Sequence, residues 1–155
     1  MNLESYALIS EIVSAIAVVA SLIFVGLEVR KNTAVNQAAT FQGSVSHDLD
    51  ILIDGGDTPE KARVWFLYRD NPDSLTDNEK MQGALMWGAA TRHAENLYMQ
   101  YINGMLNKKS WEAREPLIKV IINSEGFKHS QREYWAGMLD GAFAEYVRKN
   151  QVSTQ

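Results

Sequence analysis

The residues with the clearest potential for chemistry form a polar stripe near the N-terminus. Seven residues follow one another at spacings of three and four, which places them on one face of a helix. They are Glu11, Ser14, Val18, Ser21, Val25, Glu28 and Asn32. Rings of carboxylates favour cations in channels, and several copies of this face around an axis would place Glu11 and Glu28 at its two ends. The stripe therefore predicts self-association, either by close packing or around a cation-conducting pore.

The two interpretations of this stripe differ in what fills the axis between the helices. Ala17 and Ala20 lie beside the stripe, and small residues let helices approach closely in a membrane. In the pore interpretation, the two serines line a wet axis and the two valines form dry constrictions. We favour close packing, because serine and alanine are common at helix contacts and nothing in the sequence sets the number of subunits.

Other candidates for chemistry lie beyond residue 40. His93 and Glu95 are two positions apart and point to different sides of a helix, which is poor geometry for a shared metal ion. His47 shares a helix face with Asp50, but one histidine and one carboxylate make an incomplete metal site. We therefore expect neither a metal ion nor a cofactor.

Glu95, Asn96 and Tyr98 are expected to be polar core groups that fix helix register through hydrogen bonds. The segment Asp54–Asp57 is too short for a calcium loop, and the phosphate-binding Gly-Lys-Ser or Gly-Lys-Thr is missing. No nucleophile with a paired base can be recognised, so we expect no enzymatic activity. An apolar ligand bound between helices stays open as an alternative.

The polar stripe lies within a long apolar segment. Residues 12–27 read IVSAIAVVASLIFVGL without a charge and span roughly 24 Å as a helix. Extension back to Tyr6 reaches the roughly 30 Å of a bilayer core. A buried core helix is the alternative, but a helix that is apolar on all sides is rare in a domain of this size. We expect one membrane span.

The flanks of this segment argue for a retained span and set its orientation. A cleavable signal peptide is disfavoured, because no basic residue precedes the segment and no small-residue cleavage site follows it. Arg30 and Lys31 follow the segment directly. Basic residues mark the cytoplasmic side, so we expect the N-terminus outside and the rest of the protein in the cytoplasm.

Residues 1–31 thus form the span with its flanks, and residues 32–155 are expected to form one cytoplasmic helical domain. This domain has 13 Lys and Arg against 16 Asp and Glu, a net charge of −3 with both signs interspersed. It offers no basic stripe, so we expect no nucleic-acid binding. Cysteine is absent from the sequence, which excludes structural disulfides, thiol catalysis and cysteine-ligated zinc.

The first part of the domain carries clear helix signals. Helical spacing of apolar residues continues from the span as far as the turn at Asp54–Asp57. Thr58 is placed to cap a second helix and Pro59 to occupy its first position, with an end near Arg69. The membrane helix is therefore expected to continue into the cytoplasm.

The second part of the domain predicts three more helices. Thr76–Glu79 is a capping box that opens the longest soluble helix, which ends near residues 103–104. A helix is expected at 110–123, where Pro116 should bend it or mark a new start. A final amphipathic helix is expected at 130–149. Together these signals predict an all-α fold, with a transmembrane helix that continues into a small helical bundle.

Several segments carry a resemblance beyond this helix pattern. The span runs into the junction at 27–33, and the further matches are Glu95–Tyr98, Gly104–Leu106 with Trp111, Glu125–Phe127 with Trp135, Phe143 and Tyr146. With these features the chain resembles a large group of uncharacterised bacterial single-pass membrane proteins. The resemblance implies an inner-membrane location and an all-α fold, without an activity. Glu28 departs from the pattern, since an uncharged residue would be expected there.

These observations favour a homo-oligomeric protein of the bacterial inner membrane with a structural, interaction or sensing role. Its expected partners are the lipid bilayer, other copies of the chain and an unidentified protein on the cytoplasmic side. The alternative function is a small cation pore lined by the stripe.

Overall fold

The computed structural model describes residues 3–152, and all the regular structure in that range is helical. The helices are α1 (Leu3–Gly56), α2 (Pro59–Asp70), α3 (Asp77–Ile102), α4 (Lys108–Asn123), α5 (Glu125–Glu133) and α6 (Gly141–Asn150), with a short 3₁₀ turn at Pro72–Ser74. This confirms the predicted all-α fold, in which a long apolar N-terminal helix precedes a helical domain.

The chain forms two compact units that meet between Ala39 and Thr40. The first unit consists of the N-terminal part of α1, and every residue from Tyr6 to Asn36 is exposed. Among the helices of residues 3–152, α1 is the one that is long and apolar enough to cross a membrane. Its most apolar window has a mean hydropathy of 2.5, and none of that window is buried.

α3 is the central helix of the second unit. It contacts α2, α4, α5 and α6, and buried residues occur along nearly its whole length. A first apolar cluster contains Tyr68 and Trp87, and a larger second cluster contains Trp111, Phe127 and Phe143. Side chains on α3 are therefore held in place by packing from several directions.

The second unit also includes the C-terminal part of α1, residues 40–56. In this part Ser44 and Gly55 are buried, and Gly55 admits the Trp65 ring, which a Cβ at that position would approach to 3.3 Å. Three of the large apolar side chains of this part are more than half exposed, namely Leu49, Leu52 and Ile53. This stretch of α1 is thus attached mainly by polar and aromatic contacts.

The predicted caps account for the starts of α2 and α3. The Thr58 hydroxyl accepts a hydrogen bond from the Lys61 amide at 3.2 Å, with Pro59 at the first position. Thr76 and Glu79 form the complete capping box. Each cap satisfies backbone donors that a helix N-terminus leaves free, so these boundaries follow from local sequence.

α4 differs from its prediction at its start and at Pro116. Asn107 caps it by accepting from the Ser110 amide at 2.9 Å, so the helix begins at Lys108 rather than at residue 110. The helix then continues through Pro116, and a new start at the proline is wrong. Trp111 and Ile118 are buried on either side of the proline, and their packing offsets the one backbone hydrogen bond that proline cannot donate.

The prediction of one final helix at 130–149 is wrong, because the structure has two helices, α5 and α6. Ser124 caps α5 by accepting from the Phe127 amide at 3.0 Å, and Asp140 caps α6 by accepting from the Ala142 amide at 2.8 Å. Between the helices, Gly137 has a φ of +71°, which ordinary residues rarely adopt. A turn therefore separates two helices whose apolar spacing looks continuous in the sequence.

Candidate functional site

The polar stripe lies in the first unit, on one face of α1. All seven of its residues are exposed, as are Ala17 and Ala20 beside them. The Ser21 hydroxyl donates to the Ala17 carbonyl at 2.8 Å, and Asn36 donates to the Asn32 side chain at 3.3 Å. Back-bonding of this kind satisfies a serine within its own helix and lowers the cost of placing it in hydrocarbon. The described part of this unit is a single helix, so within the unit no second helix packs against the stripe.

A second candidate site lies in the second unit, in a cleft of about 380 Å³. Its walls come from four helices, namely the C-terminal part of α1 with α2, α3 and α4. Most of the lining is apolar, and a volume of this size lies within the range of small-molecule sites. Trp65 and Trp87 form part of the wall and stack with their centroids 5.2 Å apart. The cleft has the shape and the chemistry of a small-molecule pocket.

One end of the cleft is polar and is built around Asp48 of α1. The His93 Nε2 atom lies 2.6 Å from Asp48 Oδ1, and the Arg114 Nε atom lies 3.4 Å from Asp48 Oδ2. One carboxylate thus faces an imidazole from α3 and a guanidinium from α4. These three residues, Asp48, His93 and Arg114, form the polar cluster of the cleft.

The protonation of His93 follows from its surroundings. Burial lowers the pKa of His93, although the hydrogen bond to Asp48 acts in the opposite direction. The imidazole is therefore neutral near pH 7. An ionised carboxylate can only accept a hydrogen bond, so the proton of the neutral imidazole is on Nε2, the Nε2–H group donates a hydrogen bond to Asp48 Oδ1, and Nδ1 is left as an acceptor. The His93 side chain is fixed in this tautomer by its partner on α1.

Further contacts hold Arg114 in the polar cluster. Its Nη2 atom donates to the buried Ser44 hydroxyl at 3.3 Å, and Nη1 donates to the Ser110 carbonyl at 3.4 Å. The guanidinium also lies over the Phe41 ring, 4.9 Å from its centroid. Such a position gives a cation–π contribution in addition to the ion pair. Arg114 is thus the main link between α4 and the C-terminal part of α1.

The predicted polar core groups have three different environments. Glu95 is buried and accepts from the Asp140 amide at 2.5 Å, while its other oxygen accepts from Arg92 at 2.6 Å. Tyr98 is partly buried in an aromatic cluster with Trp111 and other rings. Asn96 is exposed, so its placement in the core is wrong. Position 96 lies on the outer face of α3, between two buried neighbours.

No group of three His, Cys, Asp or Glu side chains within residues 3–152 is arranged to hold a metal ion. The His47 ring is exposed and lies 4.7 Å from the His93 ring, centroid to centroid. From the sequence, His47 was considered as a metal ligand together with Asp50. Neither His47 nor His93 was connected with Arg114. A signal was present, however. His93 lies on the face of α3 that carries Ala90 and Leu97, and a polar side chain on an apolar face requires a partner.

Comparisons of the chain with family models, with curated proteins and with solved structures give no match. The function is therefore inferred from the stripe on α1 and from the cleft of the second unit.

Proposed function

We propose that the protein is a single-pass protein of the bacterial inner membrane that assembles with other copies of itself. Its N-terminus lies outside, and its helical domain acts in the cytoplasm as an interaction or sensing module. The observation that supports anchoring is the exposure of the whole apolar segment of α1 from Tyr6 onward. An exposed apolar surface of this size is unfavourable in water and suits a bilayer.

The polar stripe supports assembly of several copies. The side of α1 opposite the stripe carries large apolar residues suited to lipid, for example Ile16 and Ile23. Glu11 and Glu28 on the stripe are charged groups, which are costly near hydrocarbon unless they are paired, hydrated or protonated. Contact with the same stripe of another copy would shelter the polar face, and Ala17 and Ala20 would allow the helices to approach closely.

Native mass of the protein in nanodiscs tests the assembly. We expect a dimer or trimer, which leaves no room for a wet axis. Ser21→Leu should reduce it to monomers, because a large side chain prevents close packing on the stripe. Glu28→Gln should leave the mass unchanged. The matched control is Val19→Leu, which enlarges a side chain of the same helix away from the stripe.

The other outcomes of this measurement contradict the proposal in different ways. A monomeric wild-type protein would refute self-association. Four or more subunits would favour the cation pore, and Glu28→Gln should then change ion selectivity.

Orientation is tested separately in cells by labelling single-cysteine variants, which is possible because the chain has no cysteine of its own. A membrane-impermeant maleimide applied to intact cells or spheroplasts should label Tyr6→Cys and leave Gln151→Cys unlabelled, and the reverse pattern would refute an outside N-terminus.

A further inference from the structure

The C-terminal part of α1 carries an exposed face with a regular pattern. Four residues of this part follow one another at spacings of four, three and four, namely Gln42, Ser46, Leu49 and Ile53. All four are exposed, with Leu49 at 52% and Ile53 at 66%. We call these four residues the α1 seam. Two large apolar side chains thus face solvent on one side of a helix, and no other element of residues 40–152 covers them.

The rest of the domain leaves the α1 seam open. Ser44 and Asp48 of α1 both contact Arg114, and Gly55 lies against the Trp65 ring. These contacts are made by the side of α1 that faces away from the seam, as the helical spacing of the residues requires. A second helix could therefore lie along the seam without displacing the contacts that attach α1 to the domain.

The α1 seam continues the spacing of the polar stripe. Alternate steps of three and four from Asn32, the last residue of the stripe, lead through Val35 and Ala39 to Gln42 and the rest of the seam. Because α1 is one helix as far as Gly56, stripe and seam occupy the same a and d positions of one heptad repeat. Two helices with such a repeat stay in contact by winding into a left-handed supercoil. The pattern that predicts self-association in the apolar segment therefore extends to residue 53.

The residue types along this repeat favour two parallel helices. Ile53 is at an a position and Leu49 at a d position, and this combination is typical of parallel two-stranded coiled coils. Asn32 is at an a position, where a polar residue fixes the register. Beside the seam, Val45 of one helix would face Asp50 of the other, so two carboxylates are not opposed. Copies inserted into one membrane in the same direction are parallel as well.

We infer that the α1 seam binds the α1 seam of a second copy, so that the two helices form a parallel, in-register coiled coil through residues 42–53. This contact rests on the proposed assembly in the membrane and adds a pairing outside the membrane. The seam covers less than two heptads, which is short for independent pairing. The polar stripe would hold two copies side by side at a high effective concentration. Pairing would then remove Leu49 and Ile53 of both copies from water.

Disulfide cross-linking of the full chain in nanodiscs tests this pairing, because the chain has no cysteine of its own. A disulfide requires Cα atoms within about 7 Å, which an in-register coiled coil provides at its a and d positions. We expect Ser46→Cys and Leu49→Cys to form covalent dimers on mild oxidation with copper phenanthroline. The matched control is His47→Cys, an exposed neighbour on another side of α1. The seam variants should cross-link about tenfold faster than this control.

A further variant separates the α1 seam from the polar stripe. Ile53→Lys, introduced together with Ser46→Cys, would place two ammonium groups against each other in the pair. It should slow cross-linking to the rate of His47→Cys, while the native mass stays that of a dimer because the stripe is unchanged. Met105→Lys in the same background charges another exposed apolar residue of the domain and should leave cross-linking fast. Residues 46, 53 and 105 are all exposed, so these substitutions disturb no buried contact.

The outcomes distinguish the paired seam from the proposed assembly. If the native mass is that of a dimer but the seam variants cross-link no faster than His47→Cys, the paired seam is overturned and assembly through the stripe stands. Fast cross-linking that persists in Ile53→Lys would also overturn the paired seam. Three or more subunits would contradict a two-stranded coil. A monomeric wild-type protein would refute the assembly and the pairing together.

Discussion

His93 is a histidine on the apolar face of a central helix, and its environment determines its charge. Ala90, Ala94 and Leu97 beside it are almost fully buried. A charged imidazole would be poorly solvated there, so burial outweighs the attraction of Asp48 and the ring stays neutral. The residue thus acts as a hydrogen-bond donor to α1 and not as half of a salt bridge.

This neutrality makes the stability of the domain depend on pH. The pKa of His93 in the folded protein is lowered from its ordinary value of 6.5, so the unfolded chain binds a proton first as the pH falls. The contribution of the neutral His93 to the free energy of unfolding is complete above pH 6.5, and it is lost as the pH falls through the lowered pKa of the folded state. We therefore expect the unfolding temperature to decrease from about pH 7.5 to about pH 5.

Thermal unfolding of the full chain, followed by circular dichroism, measures this effect. His93→Gln should show a smaller decrease between the two pH values than the wild type does, because the titrating group is gone. The comparison variant His47→Gln removes an exposed histidine whose charge makes a smaller contribution to the lowered pKa of His93, so it should reduce the decrease less than His93→Gln does. An unchanged decrease in His93→Gln would contradict the assignment.

Single residues could be interpreted from sequence only where their partners are near in the chain. Glu95 was expected to be a polar core group, and it is buried. Its contact with the Asp140 amide could not be predicted, because residue 140 was expected to lie inside a helix. Asp48, His93 and Arg114 come from three helices, and no local pattern indicates that these helices meet.

At the level of elements, three helices meet at the side chain of Tyr68. Tyr68 of α2 is fully buried, and its hydroxyl lies 3.0 Å from His129 Nδ1 and 2.9 Å from Ser130 Oγ, both on α5. Gly83 of α3 and Gly126 of α5 lie against the ring. A Cβ would approach Tyr68 atoms to 2.4 Å at Gly83 and to 2.5 Å at Gly126. The two glycines let α2, α3 and α5 come close together.

Gly83→Ala should therefore destabilise the protein by about 1–3 kcal/mol, because the tyrosine cannot move away without disrupting its buried hydrogen bonds. The control is Gly43→Ala, a helical glycine with nothing within 4 Å of an added Cβ. It should leave stability unchanged or raise it by about 0.5–1 kcal/mol. Chemical denaturation of both variants measures the difference, and equal stabilities would show that the contact with Tyr68 can relax.

Helix boundaries could be predicted where capping residues fix them, as at Thr58 and Thr76. The final segment could not be predicted in this way. Trp135, Met138 and Leu139 continue the apolar spacing through a turn, so periodicity alone indicates one helix. In the structure, the positive φ of Gly137 belongs to a turn that separates the two helices. A glycine inside an amphipathic pattern was the available sign of a break.

For the whole molecule, the proposed anchoring rests on the apolar segment of α1. Ile16→Arg places a charge near the middle of this segment and should weaken membrane insertion by about 3 kcal/mol. Val35→Arg is the control, since it introduces the same residue at an exposed position of α1 beyond Arg30 and Lys31. After carbonate extraction, less of the Ile16→Arg variant than of the Val35→Arg variant should remain in the membrane pellet. Recovery of both variants in the soluble fraction to the same extent would argue against a span.

The all-α fold with its long apolar N-terminal helix could be predicted from the sequence, because a charge-free apolar segment and helix caps are local features. The cleft could not be predicted, since its lining residues range from Asp48 to Ile121 along the chain. Which faces of α1, α2, α3 and α4 come together depends on packing over the whole unit. The sequence interpretation left an apolar ligand open without assigning it a place.

The stacked pair of Trp65 and Trp87 gives the protein an intrinsic optical signal. The two indoles lie 5.2 Å apart with an angle of 28° between their planes. Electronic transitions of chromophores at this separation couple and split, with a sign that depends on their relative twist. The ultraviolet circular dichroism of the unlabelled chain should thus contain an exciton couplet. Because one indole belongs to α2 and the other to α3, a change in the angle between these helices would alter that couplet without any added dye.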